Sequence, residues 1–270
     1  MRAFRGLVEA CHAGPTALVT VFGASIGAAS GLSAGRTLLL GLALLLGQLS
    51  VGWSNDWWDA RDDLRTQRVE KPIVRGWVSA RVVGVGAFLA AALCVPTSLA
   101  LGWRPGLTHI VAVASAWFYN FLLKPTPLSW LPFAVSFGLL PAVASLSLPA
   151  HPLPDGAVMA ASALIGVAAH LTNGVKDMGA DEITGVRGLP QRLGVARATA
   201  LSAAAVAVAV LTLALARPRL ATVLLGAVAV VLASAAVVRA RTGRADRLFE
   251  LSMAAAAPVV VAVVITGGVR

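Results

Sequence analysis

Residues 38–63 read LLLGLALLLGQLSVGWSNDWWDARDD, an apolar run that passes straight into a cluster of acids. The apolar block, residues 37–57, is about as long as one α-helix needs to cross the hydrocarbon core of a bilayer. The last nine residues, NDWWDARDD (55–63), hold four carboxylates and one amide. Carboxylates crowded at the end of a membrane helix repel one another and resist desolvation. Their presence therefore asks for a cationic partner.

On either side of this block, eight more apolar blocks fall at roughly 16–33, 80–102, 107–123, 131–149, 157–176, 195–216, 219–238 and 247–266. The chain is 58% hydrophobic and 13% charged, against about 25% charged for a soluble domain. Its mean hydropathy is +0.82. These features predict an all-α, polytopic membrane protein with nine transmembrane helices and one domain over 1–270. The short alternating segments of a membrane β-barrel are absent. Arg2, Arg5, Glu9, His12 and Pro15 interrupt the first residues, so no cleavable leader is expected. Cys11 and Cys94 have no metal or redox spacing and read as small apolar fillers.

The net charge of +10 does not point to nucleic acid, because of where the charge lies. Of the 22 Lys and Arg residues, 17 fall on one set of alternating loops. The other set holds only Arg36, Arg104, Arg217, Arg219 and Arg270. The positive-inside rule then places the N-terminus and both acidic clusters on the cytoplasmic side of the cell membrane, and the C-terminus outside.

The second acidic cluster is NGVKDMGAD, residues 173–181. Asn55, Asp59 and Asp63 are spaced four apart, as are Asn173, Asp177 and Asp181. That spacing keeps each set on one helical face. Asp56 joins the first face as the i−3 neighbour of Asp59, whereas Asp62 points away. A basic, Gly-containing segment follows each cluster: RTQRVEKPIVRG (65–76) and ITGVRGLPQRLG (183–194). The order of span, Asn/Asp face and basic loop thus occurs twice, a pseudo-repeat of the kind membrane proteins build around a central site.

Carboxylate and amide oxygens are ligands for hard divalent cations. Mg²⁺ in particular is held by a few carboxylates together with substrate phosphates. Arg and Lys in the loops supply further phosphate partners. The two clusters therefore predict a metal–diphosphate clamp. A solvated helix end would explain one cluster better than two of matching spacing. A cation pathway is a weaker reading, because no acids continue toward the middle or the other end of the spans. The pattern also departs from CDP-alcohol phosphotransferases, which keep their aspartates in one compact run with Gly after the second; here Ala60 follows Asp59.

These residues resemble the UbiA superfamily of intramembrane prenyltransferases. Its N-D-x-x-D-x-x-x-D motif is matched from Asn55 to Asp63. Its D-x-x-x-D, followed by Gly and Leu-Pro, is matched by Asp177, Asp181, Gly185, Leu189 and Pro190. Lys71-Pro72-Ile73-Val74-Arg75-Gly76 matches the family's basic-Pro-Ile/Leu-x-x-Gly loop. Tyr119 to Lys124 is a looser relative of its Y-x-x-x-K. The resemblance implies a helical bundle around a central cavity, opening laterally to lipid, in which Mg²⁺ binds a prenyl diphosphate. Asn55, Asp56, Asp59 and Asp63 would hold one ion, and Asp177 and Asp181 the other. Arg68, Lys71 and Lys124 would contact the diphosphate, and Asn173 would line the cavity. Tyr119 either faces the reacting carbon or lies at the interface. His170 either lines the acceptor pocket or packs. Trp57 and Trp58 fit an aromatic belt, with a cation-facing indole as the alternative.

One departure bears on the acceptor. Aromatic-acid prenyltransferases of this family carry Arg-x-Asp-Lys-Pro before the first span, and here Glu9 to Pro15 keeps only the proline. That weighs against a para-hydroxybenzoate-type acceptor. The leading expectation is transfer to another small aromatic or quinone precursor, with a sugar phosphate or glycerol phosphate as further options. Two other readings stand beside it: a terpene cyclase that needs no acceptor, and a divalent-cation or lipid transporter without chemistry.

Overall fold

The computed structural model describes all residues except 151, 154, 243–246 and 267–270. Arg244 and Arg270 of the charge distribution lie outside the described residues. Ten α-helices follow in order. They are α1 (Arg2–Ala10), α2 (Ala13–Ala29), α3 (Ala34–Arg65), α4 (Ala80–Leu99), α5 (Trp103–Phe118), α6 (Leu131–Leu146), α7 (Gly156–Thr184), α8 (Leu189–Ala216), α9 (Leu220–Arg241) and α10 (Leu248–Ile265). A π-helical turn, Tyr119–Leu123, extends α5.

The expected count of nine spans is met only in part. Seven helices are long and apolar enough to cross a membrane, counting α5 with its π turn, and an eighth span is formed if α1 and α2 act as one segment bent by 60°. The block expected at 131–149 is realised as a 16-residue helix, α6. At 1.5 Å per residue it is about 24 Å long, short of the ~30 Å hydrocarbon core. The shortfall follows from composition: Pro132 and the loop before it start the helix late, and Ser147 ends it.

The two helices that carry the acidic clusters are the longest. α3 has 32 residues and α7 has 29, about 48 and 44 Å. Each is longer than the bilayer core by several turns, and the acidic clusters lie on its last turns. Consecutive helices pack on one another, and α10 returns against α2 and α7. α3 packs on α2, α4 and α5, whereas α7 packs on α6, α8 and α10. Among the described residues α3 and α7 make little direct contact with each other. A gap therefore separates the two acidic faces.

The core lies several turns away from the acids. It is built from Phe22, Ile26, Leu44, Leu140, Ile165, Val206, Leu213 and Val259, among others. Small residues let the last helices approach closely, as membrane bundles require. Ala229, Ala233, Ala255, Ala256 and Ala262 are buried, while Val223, Leu224, Val228 and Val231 are exposed. On α9 the division is clear, with alanine inward and valine or leucine outward. At the other end of the bundle, Arg36 donates to the carbonyls of Leu101 and Ser147, at 2.6 and 2.9 Å.

Candidate active site

The two motif helices end in the same way. In α3 the Arg68 amide donates to the Asp63 carbonyl (3.0 Å) and the Gln67 amide to the Leu64 carbonyl (3.3 Å). Gln67 takes the left-handed conformation, φ 52°. This is the double hydrogen bond of a Schellman cap. In α7 the Val186 amide donates to the Asp181 carbonyl at 3.0 Å, and Gly185 takes φ 76°. Gly185 is needed there because the left-handed region is strained for residues with a β-carbon. The last aspartate of each cluster therefore occupies the equivalent cap position, and the pseudo-repeat extends to the backbone.

The residue just past each cap differs. The first cap turns the chain so that Arg68 folds back over its own helix. Its guanidinium reaches Glu70 at 2.7 Å, Asp63 at 3.6 Å and, across the gap, Asp177 at 3.4 Å. The corresponding residue of the second cap is Val186, which adds no charge. One arginine thus bridges both acidic faces. Glu70, held by the Arg68 hydrogen bond, is kept below the usual carboxylate range.

The remaining acids are matched in turn. Lys124, at the end of the π turn, pairs with Asp59. The π turn closes with the Lys124 amide donating to the Tyr119 carbonyl at 3.0 Å. Its wider ring inserts one extra residue into the turn, and so decides which side of α5 Asn120 and Lys124 face. Asn120 is buried and donates to the Val51 carbonyl (3.0 Å) and to Ser54 Oγ (2.9 Å). Its own oxygen accepts from Asn55 Nδ2 at 3.3 Å. With its nitrogen so occupied, Asn55 keeps its carbonyl oxygen available as a ligand.

Asp56 is 2% exposed and accepts from Lys71 Nζ at 2.6 Å. The same oxygen lies 2.9 Å from His12 Nε2. His12 is the hinge between α1 and α2, with φ 54° and ψ 60°. The hinge sits close to α3 because Gly52 has no side chain; a β-carbon there would lie 2.5 Å from the Cys11 carbonyl oxygen. Asp56 is therefore enclosed by the hinge and the Lys71 loop. Asp59 and Asp177 stay partly exposed.

On α7, Asp181 accepts from Gln191 Nε2 at 2.5 Å. Its carboxyl lies past the apolar block of residues 157–176. Burial and then the neighbouring Asp177 push it up to about 6, against the pull of Lys124, Arg68 and Gln191. A carboxyl pair in this condition gains from a bound cation. Asn173 lies one turn before Asp177, on the same face and partly exposed. Tyr119 is also partly exposed, and it lies within electrostatic range of Asp181, Asp59 and Asp177.

Arg68 joins the two faces from the gap between them, while Lys124 pairs with Asp59 and lies within electrostatic range of Asp181. Lys71 stays on the α3 side. Trp57 packs edge-on with Phe88 and Phe121, at 5.6 and 6.4 Å, so it belongs to an aromatic cluster of α3, α4 and the π turn. Asn120 and Gln191 were not singled out by the motifs. The signal for Asn120 was its rarity: buried amides within a membrane need a partner. Gln191 had no such signal, because only the fold brings it to Asp181.

The donor set suits a hard divalent cation. Among the described residues no three His, Cys, Asp or Glu side chains converge as a metal site. The acids instead hold Arg68, Lys124, Lys71 and Gln191, as expected of carboxylates facing cations across a gap.

A family model, the UbiA prenyltransferase family, matches residues 16–265. No curated protein sequence matches the chain. Among solved structures, a UbiA homologue from Aeropyrum pernix K1 is similar with a TM-score of 0.74 and 18% identity, over 94% of this chain and 98% of that one. Digeranylgeranylglyceryl phosphate synthase is similar at 0.73 and 14% identity, over 99% of both chains. A UbiA homologue from Archaeoglobus fulgidus bound to DMAPP and Mg²⁺ is similar at 0.70 and 16% identity, over 96% of this chain and 99% of that one. At these identities the structures show a shared fold.

Proposed function

Because this chain belongs to the UbiA prenyltransferase family, we propose that its two acidic faces bind a prenyl diphosphate with Mg²⁺ and that it transfers the prenyl group to a small aromatic or quinone-precursor acceptor. The observation that carries the reading is Arg68, poised in the gap within 3.6 Å of Asp63 and 3.4 Å of Asp177. A cation held between two acidic faces, with Lys124 beside it, is what a diphosphate bound there would require. The Archaeoglobus fulgidus homologue bound to DMAPP and Mg²⁺ supports the ligand class.

Asn55, Asp59 and Asp63 from α3, with Asp177 and Asp181 from α7, would hold the metal, and Asp56 would brace Lys71. Mg²⁺ supplies charge neutralisation for the departing diphosphate. The protein's own cations complete that task. Arg68 and Lys124 exchange a carboxylate for phosphate oxygens as the substrate enters. The allylic C–O bond then breaks with its electron pair leaving on the diphosphate. Tyr119 and the apolar walls above the acids keep water from the allyl cation. The acceptor forms the new bond to the freed carbon and loses a proton. The charge bias of the loops supports a multi-pass protein of the cell membrane with these motifs facing the cytoplasm.

The test uses purified protein in lipid nanodiscs with geranyl, farnesyl or geranylgeranyl diphosphate, with and without Mg²⁺ and an acceptor extract. Diphosphate release that needs both Mg²⁺ and acceptor is expected. Release with a hydrocarbon or terpene alcohol and no acceptor would replace transfer by cyclisation. No release under any condition would refute both.

A further inference from the structure

His170 is 3% exposed and lies on α7 seven residues before Asp177. Two turns of helix place it about 10 Å deeper along the axis, on nearly the same face. Its Nε2 is 2.9 Å from Ser129 Oγ. That oxygen also accepts from the Leu189 amide at 2.9 Å. Ser129 is fully buried, and among the described residues Nε2 is the one acceptor its hydroxyl meets, so that proton is assigned to Nε2 and the proton of His170 to Nδ1. His170 Nδ1 is buried and has no hydrogen-bond partner. It is the sole ring nitrogen in that condition among the described residues.

An unsatisfied buried donor is costly, so this N–H is explained by a group that arrives. The surroundings define that group. The rings of Phe133 and Tyr119 stand 4.8 and 5.7 Å from the imidazole, and 5.0 Å from each other at 89°. Tyr119 also lies within electrostatic range of Asp181, Asp59 and Asp177. No cation contacts these rings among the described residues; Lys124 is engaged with Asp59. A prenyl tail offers such a donor nothing, and an anionic group would find no countercharge.

We propose that His170 is a positioning residue of a second-substrate subsite, donating from Nδ1–H to an uncharged oxygen of an aromatic acceptor seated against Tyr119 and Phe133. This subsite rests on the prenyltransferase reading, since that reaction requires a second substrate beside the diphosphate. It selects a phenol or quinone oxygen over a carboxylate or phosphate.

The probes are 1-naphthol, naphthalene and 1-naphthoate, titrated calorimetrically into the protein in nanodiscs, with empty nanodiscs subtracted. Naphthol is expected to bind about tenfold tighter than naphthalene, and naphthoate no tighter than naphthalene. His170→Phe should erase the naphthol advantage. His170→Asn should keep most of it, because its amide nitrogen reaches the place of Nδ1, whereas His170→Gln should not. Equal binding of naphthol and naphthalene to the native protein, or an advantage that survives His170→Phe, overturns the proposal. If His170→Phe fails to fold, the Asn and Gln variants decide by the same difference. Mg²⁺-dependent binding of geranyl diphosphate, measured on the same samples, should be unchanged by these substitutions. Its absence from the native protein would sink the prenyltransferase reading while leaving the naphthol comparison to judge His170.

Discussion

Removing Arg68 should disable the site and loosen the ligand-free fold, and the two effects should respond differently to ligand. The guanidinium side chain is 23% exposed and contacts three carboxylates at 2.7, 3.4 and 3.6 Å. At about 3.5 Å and an effective dielectric of ~20, each pair is worth roughly 5 kcal/mol of gross attraction. Desolvation offsets most of that. A net loss near ~3 kcal/mol is consistent with a hydrogen bond to a charged group. The phosphate contacts that replace these pairs on substrate entry are charge-assisted hydrogen bonds of similar worth, so Arg68→Ala should lower kcat/KM about 100-fold. Arg68→Lys keeps the charge but cannot fork between Asp63 and Asp177, so a fall of roughly tenfold is expected. The assay is diphosphate release from geranylgeranyl diphosphate in nanodiscs with Mg²⁺. Thermal unfolding on the same samples reports the second effect. Without ligand, Arg68→Ala leaves Asp63 and Asp177 facing each other unbridged, and the midpoint should drop by a few degrees. Mg²⁺ with diphosphate should restore most of it by supplying the missing cation. Turnover of Arg68→Ala within about threefold of native would refute the bridging role, because that is near ~0.6 kcal/mol.

Asp59→Ala and Asp177→Ala, one from each face, should each abolish measurable turnover; full activity in either would break the two-face site. Asn120→Leu removes the group that orients Asn55 and should raise the Mg²⁺ concentration for half-maximal turnover several-fold, with about 1–2 kcal/mol of destabilisation. Asp181, pushed up to about 6, takes a proton as pH falls through that value, and a protonated carboxyl is a poor ligand. Half-saturation by Mg²⁺ should therefore rise below about pH 6, and a flat profile would contradict the assignment. The sign for metal-free stability is opposite. A carboxyl raised on folding binds its proton more tightly in the folded state, so its contribution favours the fold as pH drops from about 6 toward ~4. Gly52→Val places a side chain against the Cys11 carbonyl and should cost about 1–3 kcal/mol in thermal unfolding, with the α1–α2 hinge displaced from Asp56.

The membrane setting, the all-helical fold and the prenyltransferase family were legible in the order of residues. Apolar blocks of spanning length have one stable form in lipid, because only a helix satisfies its backbone internally. The i, i+4, i+8 spacing of Asn55, Asp59 and Asp63, and of Asn173, Asp177 and Asp181, is a local property of a helix. The rest depends on distance across the bundle. The resemblance implies Arg68 at the diphosphate, but its bridge from Asp63 to Asp177 exists because the Schellman cap turns it back over its helix. Gln191 lacks any motif signal and acquires a role because α8 folds back beside α7. Asp56 joins the same helical face as Asp59, yet the α1–α2 hinge and the Lys71 loop enclose it. His170 could be read either way from sequence. The turn before α6 brings Ser129 against α7 and the start of α8, where it meets both Leu189 and His170 Nε2 and leaves the imidazole only Nδ1 to offer. Helix spacing is written in consecutive residues, whereas the partner of a charge or a proton is chosen by which helices come to face each other.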